Sequence, residues 1–357
     1  MYPAKEHAVV YCQGAFNTSN GKTAHGLVRF TERYKIYAVI DSNYKGSDSG
    51  MVLDGRPNGI PVLQSLDDAL ISATKAGVLV SKFIMGIAPD GGRIPPDALE
   101  PLVKAIKAKM DIVSGLHDFM SDDEALVALA RKYNCELIDI RKPPDRSELH
   151  FFSGKIEEVS CPKIAILGTD SAIGKRTTAW LLVQAFRSAG KKVEMIGTGQ
   201  TAWLQGARYS LILDSLVNDF VSGEIEHAIH EAWKNENPDL IVLEGQGSLL
   251  NPAYPGGFEL IAAGRPDFIV LQHAPKRKDY DGFPGYPIHE LRRQIDAVEI
   301  ISGKDVIAVT VNHEGIAKEQ ISKECLRITD ETGLPAFDPL ENGAGGLMEL
   351  IIAKINR

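Results

Sequence analysis

The stretch Lys163–Ala179, K-I-A-I-L-G-T-D-S-A-I-G-K-R-T-T-A, constrains this chain more than any other. A continuous apolar run, a turn flanked by glycines and a helix start follow one another, the pattern of a buried strand feeding a helix. Gly168 and Gly174 let the backbone fold tightly enough for successive N–H groups to point inward. The new helix adds its positive end, and Lys175 supplies a mobile charge. The segment therefore reads as a phosphate cradle. Its spacing departs from G-x-x-x-x-G-K-[ST]: five residues separate the glycines, and Arg176 stands where a Mg²⁺-binding hydroxyl normally follows the lysine. Anion binding is supported by this pattern; nucleotide hydrolysis is not.

A chain of 357 residues exceeds the size at which one hydrophobic core keeps growing, so two domains are expected. Apolar runs alternate with helical patterns throughout, which implies parallel sheets covered by helices on both faces. In the first part, Ala8–Cys12, Ile36–Ile40, Gly77–Met85, Asp111–Ser114 and Cys135–Ile140 read as strands. Ser65-Leu66-Asp67-Asp68 reads as a capped helix start, and Ser121-Asp122-Asp123-Glu124 as a capping box. The polar, proline-bearing stretch 141–160 reads as the interdomain connection, giving domains 1–145 and 146–357. Beyond it, Lys192–Ile196, Leu240–Leu243, Phe268–Leu271 and Asp305–Val311 read as strands, with helices near Asp219–Trp233, Ile288–Ile301 and Gly315–Thr332. The expected fold is α/β, two doubly wound parallel-sheet domains, a Rossmann-like domain followed by one like the P-loop NTPases.

Thirty-nine basic against 47 acidic residues give a net charge of −8, which argues against nucleic acid or an anionic membrane as partner. Cys12, Cys135, Cys161 and Cys325 are scattered with no C-x-x-C pair, so no zinc site, other metal site or disulfide framework is expected. No charged-then-apolar leader and no membrane-length apolar run stand out, and a cytoplasmic enzyme, assembled as a homo-oligomer, is the simplest expectation.

In the first domain, Asp41 ends the second apolar run, where an acid can accept from a ribose hydroxyl, although no G-x-G-x-x-G precedes it. The segment from Gly59-Ile60-Pro61-Val62 through Ser65-Leu66-Asp67-Asp68-Ala69 resembles the CoA-binding Rossmann-like domains of the succinyl-CoA synthetase type.

In the second domain, Gly197-Thr198-Gly199-Gln200-Thr201 and Leu243-Glu244-Gly245-Gln246-Gly247-Ser248 place small and polar residues at strand ends beside the cradle. Joined to Gly168-Thr169-Asp170 and Gly174-Lys175, they are similar to dethiobiotin synthetase and its P-loop relatives, in which the acidic residue of E-G-x-G lies at the metal and substrate. The wider set is more specific. G-T-D-x-x-x-G-K-x-T-T, G-T-G-Q-T, Asp214 with Asn218-Asp219-Phe220, E-G-Q-G-S and Leu271-Gln272-His273-Ala274-Pro275 together resemble a family long catalogued as a domain of unknown function, over nearly the whole chain. That family includes D-glutamate N-acetyltransferases, which act beside an enolase-superfamily epimerase or racemase.

The resemblance implies acetyl-CoA as cofactor, D-glutamate or a similar small acidic amino acid as substrate, and an N-acyltransferase activity. Coenzyme A carries phosphates that a nest of N–H groups can hold without Mg²⁺, which accommodates Arg176. The cofactor-binding set is Gly168, Thr169, Asp170, Gly174, Lys175, Arg176, Thr177, Gly199 and Gln200. Acyl transfer to an amine needs a base and oxyanion donors: Glu244 is the first candidate base, Asp214 the second, and His273 a proton carrier. Substrate carboxylates call for cations, supplied by Lys276 and Arg277, with Gly245, Gln246 and Ser248 completing the substrate set. The rival reading is a Mg²⁺-ATP ligase of the dethiobiotin synthetase kind, with Glu244 or Asp170 on the metal. His227 and His230, three apart with no third ligand, read as a solvated helix face. Trp203 and Tyr209 suit either adenine stacking or core packing. The loop 279–287, rich in tyrosine and proline, reads as a lid.

Overall fold

A computed structural model describes residues 5–356. They form two compact units: residues 5–143 together with Gln200–Gly206, and Pro144–Gly199 together with residues 207–356.

The first unit is built on six parallel strands, β1 (Glu6–Tyr11), β2 (Tyr34–Ile40), β3 (Val62–Leu63), β4 (Val80–Met85), β5 (Asp111–Ser114) and β6 (Leu137–Asp139). They lie in the order β3-β2-β1-β4-β5-β6, that of a doubly wound Rossmann-like sheet. Val9, Val10, Phe83, Ile84, Ile112 and Val113 are fully buried, as strands covered on both faces require. Ser65 caps the helix Leu66–Lys75 through Asp68 N–H. That helix runs out into Gly77 at φ +66°, a left-handed residue that closes it, so β4 begins at Val80 and not at Gly77. The cap of helix Glu124–Tyr133 is Asp123, which accepts from Ala125 and Leu126 N–H, and not Ser121.

Asp41 is fully buried. One carboxylate oxygen accepts from Phe16 N–H and the other from Asn43 N–H, both at 3.0 Å. The acid thus pins the loop after β1 to the turn after β2, and the ribose role expected of it is closed.

Gln200–Gly206 completes this unit. Gln205 Nε2 donates to the carbonyls of Gly26 and Phe30, Glu32 N–H donates to Gln205 O, and the Arg33 guanidinium stacks 3.8 Å from the Trp203 ring centre. Trp203 therefore packs on an arginine of the first unit.

The second unit carries seven parallel strands, β7 (Lys163–Gly168), β8 (Val193–Gly197), β9 (Tyr209–Ser210), β10 (Leu240–Glu244), β11 (Phe268–His273), β12 (Val306–Val311) and β13 (Ala336–Phe337). Their order is β13-β12-β11-β7-β10-β8-β9. The chain leaves central β7 toward β8 on one side and later fills β11 on the other, which makes the carboxyl end of β7 the switch point where doubly wound sheets bind ligands. β3, β9 and β13 are two-residue edge strands, too short to show a period in sequence.

Within the stretch 141–160, read as the interdomain connection, residues 150–156 are strapped onto helix Asn218–Glu236. Buried Glu226 accepts from Ser153 N–H, Ser153 Oγ and Ile156 N–H, and a side chain at Gly223 would collide with the His150 carbonyl. His227 stacks on His150 at 3.6 Å, and His230 is buried against Glu158. The two histidines therefore form a docking face for the strap and not a solvated one. Among the described residues no His/Cys/Asp/Glu group could hold a metal ion, and no helix is long and apolar enough to cross a membrane.

Candidate functional site

The ends of β8, β10, β7 and β11 are neighbours in the sheet and deliver the loops predicted to carry chemistry. Gly168 closes β7; a Cβ there would come within 2.8 Å of Lys175 Cδ and 2.9 Å of Ile173 Cδ1. The loop then passes through Ala172 at φ +48° and Gly174 at φ +100°, and the helix Lys175–Ser188 begins. Its first intrahelical bond runs from Thr178 N–H to Gly174 O, so the amides of the first turn have no intrahelical acceptor.

Lys175 is buried and its ammonium donates to the carbonyls of Asp170 (2.6 Å) and Gly247 (2.8 Å). Burial pulls this ammonium down to about 8, against the opposing pull of Asp170 and Glu244. The next strand end supplies Glu244, whose Oε2 accepts from Thr198 N–H at 2.7 Å and Thr198 Oγ1 at 3.3 Å. Burial pushes the Glu244 carboxyl above its usual range, with Arg176, the Thr198 donors and Lys175 working in the other direction. Gln246 Nε2 donates to Thr198 Oγ1, and a Cβ on Gly199 would approach that same Nε2 at 3.0 Å. Gly245 packs its α-carbon on the Ile166 carbonyl, where a Cβ would come within 2.3 Å. Ser248 follows the carbonyl that Lys175 holds; its hydroxyl is buried and has no hydrogen-bond partner.

Asp170 has no exposed surface and accepts four hydrogen bonds. Oδ1 takes Ser171 N–H (2.7 Å) and Asn251 Nδ2 (2.8 Å); Oδ2 takes Arg277 Nη1 and Asp281 N–H, both at 2.9 Å. Arg277 also donates to Ser171 O and Glu314. Two residues predicted for separate roles, Asp170 for cofactor and Arg277 for substrate, are thus partners, and four donors fill the carboxylate proposed for a metal. Lys276 is exposed beside them.

Thr169 and His273 also meet: Thr169 Oγ1 lies 3.0 Å from His273 Nδ1. Burial drives His273 down to about 4, aided by Arg327, which leaves a neutral ring that is a weak proton carrier at neutral pH. Thr177 is half-buried on the first helical turn, while the Thr178 hydroxyl donates to Gln272 Oε1 at 2.6 Å. Asp214 is exposed on the turn Leu213–Ser215, whose neighbour Leu213 donates its N–H to the Thr198 carbonyl. Gln200 is not part of the unit that carries the cradle. It belongs to the first unit, where its Oε1 accepts from Arg141 Nη2 at 2.9 Å.

The sequence assigns no individual role to Thr198, Gln272 or Asp281, which it places in motifs or in the 279–287 loop, and none to Asn251. Gln272 carried a signal, since a glutamine interrupting the apolar run F-I-V-L-Q-H must be hydrogen-bonded when buried; it accepts from both Thr178 and Thr310. Asn251 and Asp281 gave none, because their partner lies in another loop. A cleft of about 540 Å³ opens at the opposite, amino ends of β7 and β11, but Lys163 and Arg265 there are paired with Asp267 and Glu157.

A Rossmann-like parallel sheet followed by a second parallel sheet with a glycine-lysine anion loop at its switch point defines a two-domain α/β protein of the P-loop class. The chain belongs to the DUF1611 family, that of the D-glutamate N-acetyltransferases, and is an N-acyltransferase enzyme. Residues 150–348 match the "Domain of unknown function (DUF1611_C) P-loop domain" and residues 42–143 the "Domain of unknown function (DUF1611_N) Rossmann-like domain". It is 31% identical over 298 residues, 82% of this chain and 87% of the relative, to a D-glutamate N-acetyltransferase of a Pseudoalteromonas species. It is 30% identical over 277 residues, 76% of this chain and 81% of the relative, to a protein of the same name from Tritonibacter scottomollicae. A DUF1611 family crystal structure from Anabaena variabilis superposes with a TM-score of 0.88 at 28% identity, covering 98% of this chain and 100% of that one.

Proposed function

We propose that this enzyme transfers an acetyl group from acetyl-CoA to the amino group of D-glutamate or a similar small acidic amino acid. The observation that carries the reading is the 31% identity across 82% of the chain with a D-glutamate N-acetyltransferase.

The residues present fit a phosphorylated donor. A buried ammonium, a helix start whose first amides have no intrahelical acceptor, the Ser248 hydroxyl without a partner and the close approach of the Lys175 side chain to Gly168 support an anion cradle. Lys175 with the loop 168–174 would hold phosphate, and the donor would supply an acyl group activated as a thioester. Glu244 takes a proton from the substrate ammonium, its proton affinity raised above the ordinary carboxylate range by burial. Thr198 keeps one Glu244 oxygen fixed while this happens. Lys276 offers a charge to a substrate carboxylate. The rival Mg²⁺-ATP reading lacks the hydroxyl directly after Lys175; Thr177 is turned about 100° around the helix from that position, and Thr178 spends its proton on Gln272.

The test is release of free thiol from acetyl-CoA by the purified protein with a panel of D- and L-amino acids. Thiol release dependent on D-glutamate and undiminished by a chelator is expected. Release with no amino acid of the panel, or product formed only with ATP and Mg²⁺, would overturn the reading.

A further inference from the structure

The Asp170 carboxylate collects donors from three separate stretches of chain. Ser171 belongs to the anion loop, Asn251 to the segment 245–257 after β10, and Arg277 with Asp281 to the segment 276–287 after β11. The Asp170 residue itself has no exposed surface. Each segment also carries an exposed tyrosine, Tyr254 at 59% and Tyr286 at 58%. The first segment has a second tie to the loop through Lys175 and Gly247 O; the second is tied through Arg277 Nη1 and Ser171 O. A carboxylate buried with four donors is worth more than the separate bonds, because losing one leaves the others in a poorly solvated site.

We propose that Asp170 is a positioning residue that locks the 245–257 and 276–287 segments onto the anion loop as one closing unit, and thereby sets affinity for the amino acid substrate through Arg277 and Lys276. Asp170 Oδ2 holds Arg277 through its Nη1, and Lys276 is the chain neighbour of that arginine. The donor's phosphate depends on Lys175, whose bond to this residue goes to the Asp170 main-chain carbonyl and is independent of the carboxylate. The kinetic part of the inference rests on the acetyl-transfer reading; the mechanical part does not.

Amide hydrogen exchange of the ligand-free protein tests the mechanical part with two variants. Asp170→Asn exchanges one acceptor for a donor among four donors, and Asn251→Ala removes a single donor from the 245–257 segment. The expected result is exchange at least about tenfold faster in both segments in either variant. Unchanged protection of 279–287 in Asp170→Asn, or faster exchange in Asn251→Ala confined to 245–257, overturns the single closing unit. In steady-state kinetics both variants should raise KM for the amino acid about tenfold while KM for acetyl-CoA moves less than about threefold. Equal rises in both KM values, or a fall in kcat alone, would mark Asp170 as merely structural. If the wild type transfers no acetyl group, that result falls on the proposed function, and hydrogen exchange still decides the clamp.

Discussion

Thr198 donates its backbone N–H to Glu244 Oε2 at 2.7 Å, and its hydroxyl bridges the Glu244 carbonyl and the same carboxylate. One residue at the end of β8 therefore fixes both the strand end and the side chain of the candidate base on β10. A base held this way has one oxygen anchored and a proton affinity raised by burial. Replacing Glu244 by Gln preserves shape and hydrogen bonding but removes proton uptake. We expect kcat to fall by about 10²-fold or more, with acetyl-CoA affinity measured by calorimetry kept within a few-fold. The rate of the wild type should rise with pH through a limb above the ordinary carboxylate range, and this limb should vanish in the variant.

Lys175→Ala should weaken coenzyme A binding by about 10²-fold, the scale of a buried charge-assisted contact. In the free wild type the ammonium is lost as pH rises through about 8. Phosphate would restore the proton, so binding at pH 8.5 to 9 should take up protons, seen as a buffer-dependent enthalpy in calorimetry. Absence of uptake in the wild type would remove Lys175 from the phosphate contact.

His273 gives a stability prediction with a defined sign. Its folded-state value of about 4 lies below its usual 6.5, so between these values the unfolded chain binds the proton and the folded chain does not. Stability therefore falls as pH drops from about 6.5 to 4, by on the order of 3 kcal/mol from this group. Urea denaturation at several pH values should show that slope, and His273→Asn, which cannot titrate, should flatten it.

Gly245→Ala sets a Cβ 2.3 Å from a β7 carbonyl that cannot retreat without distorting the sheet. A loss of about 2–4 kcal/mol in thermal or denaturant unfolding is expected. Gly282→Ala, at φ +79° with open space around it, should cost only about 1 kcal/mol. Similar losses for the two would mean that close packing at the site is not what selects glycine.

Much of this architecture is legible in the amino-acid sequence. Buried parallel strands announce themselves as unbroken apolar runs, and β8, β10 and β12 lie within a residue or two of their expected limits. The glycine-lysine turn was visible because its chemistry is local. Two-residue edge strands were not, since they have no period. The strap within 141–160 looked like a linker because a polar, proline-bearing stretch carries no sign that Glu226 will accept its amides.

The sequence by itself determined the parallel α/β character of both units, the loop that starts at Gly168 and the residue types gathered around it, because burial patterns and backbone turns are encoded within a few neighbouring residues. Tertiary structure decided which of those residues work together. It pairs Asp170 with Arg277, ties His273 to Thr169, seats Gln200 in the first unit and aims Thr198 at Glu244. Each of these assignments follows from the need to satisfy a buried polar group, and the partner that satisfies it is chosen by proximity in space between segments distant in the chain.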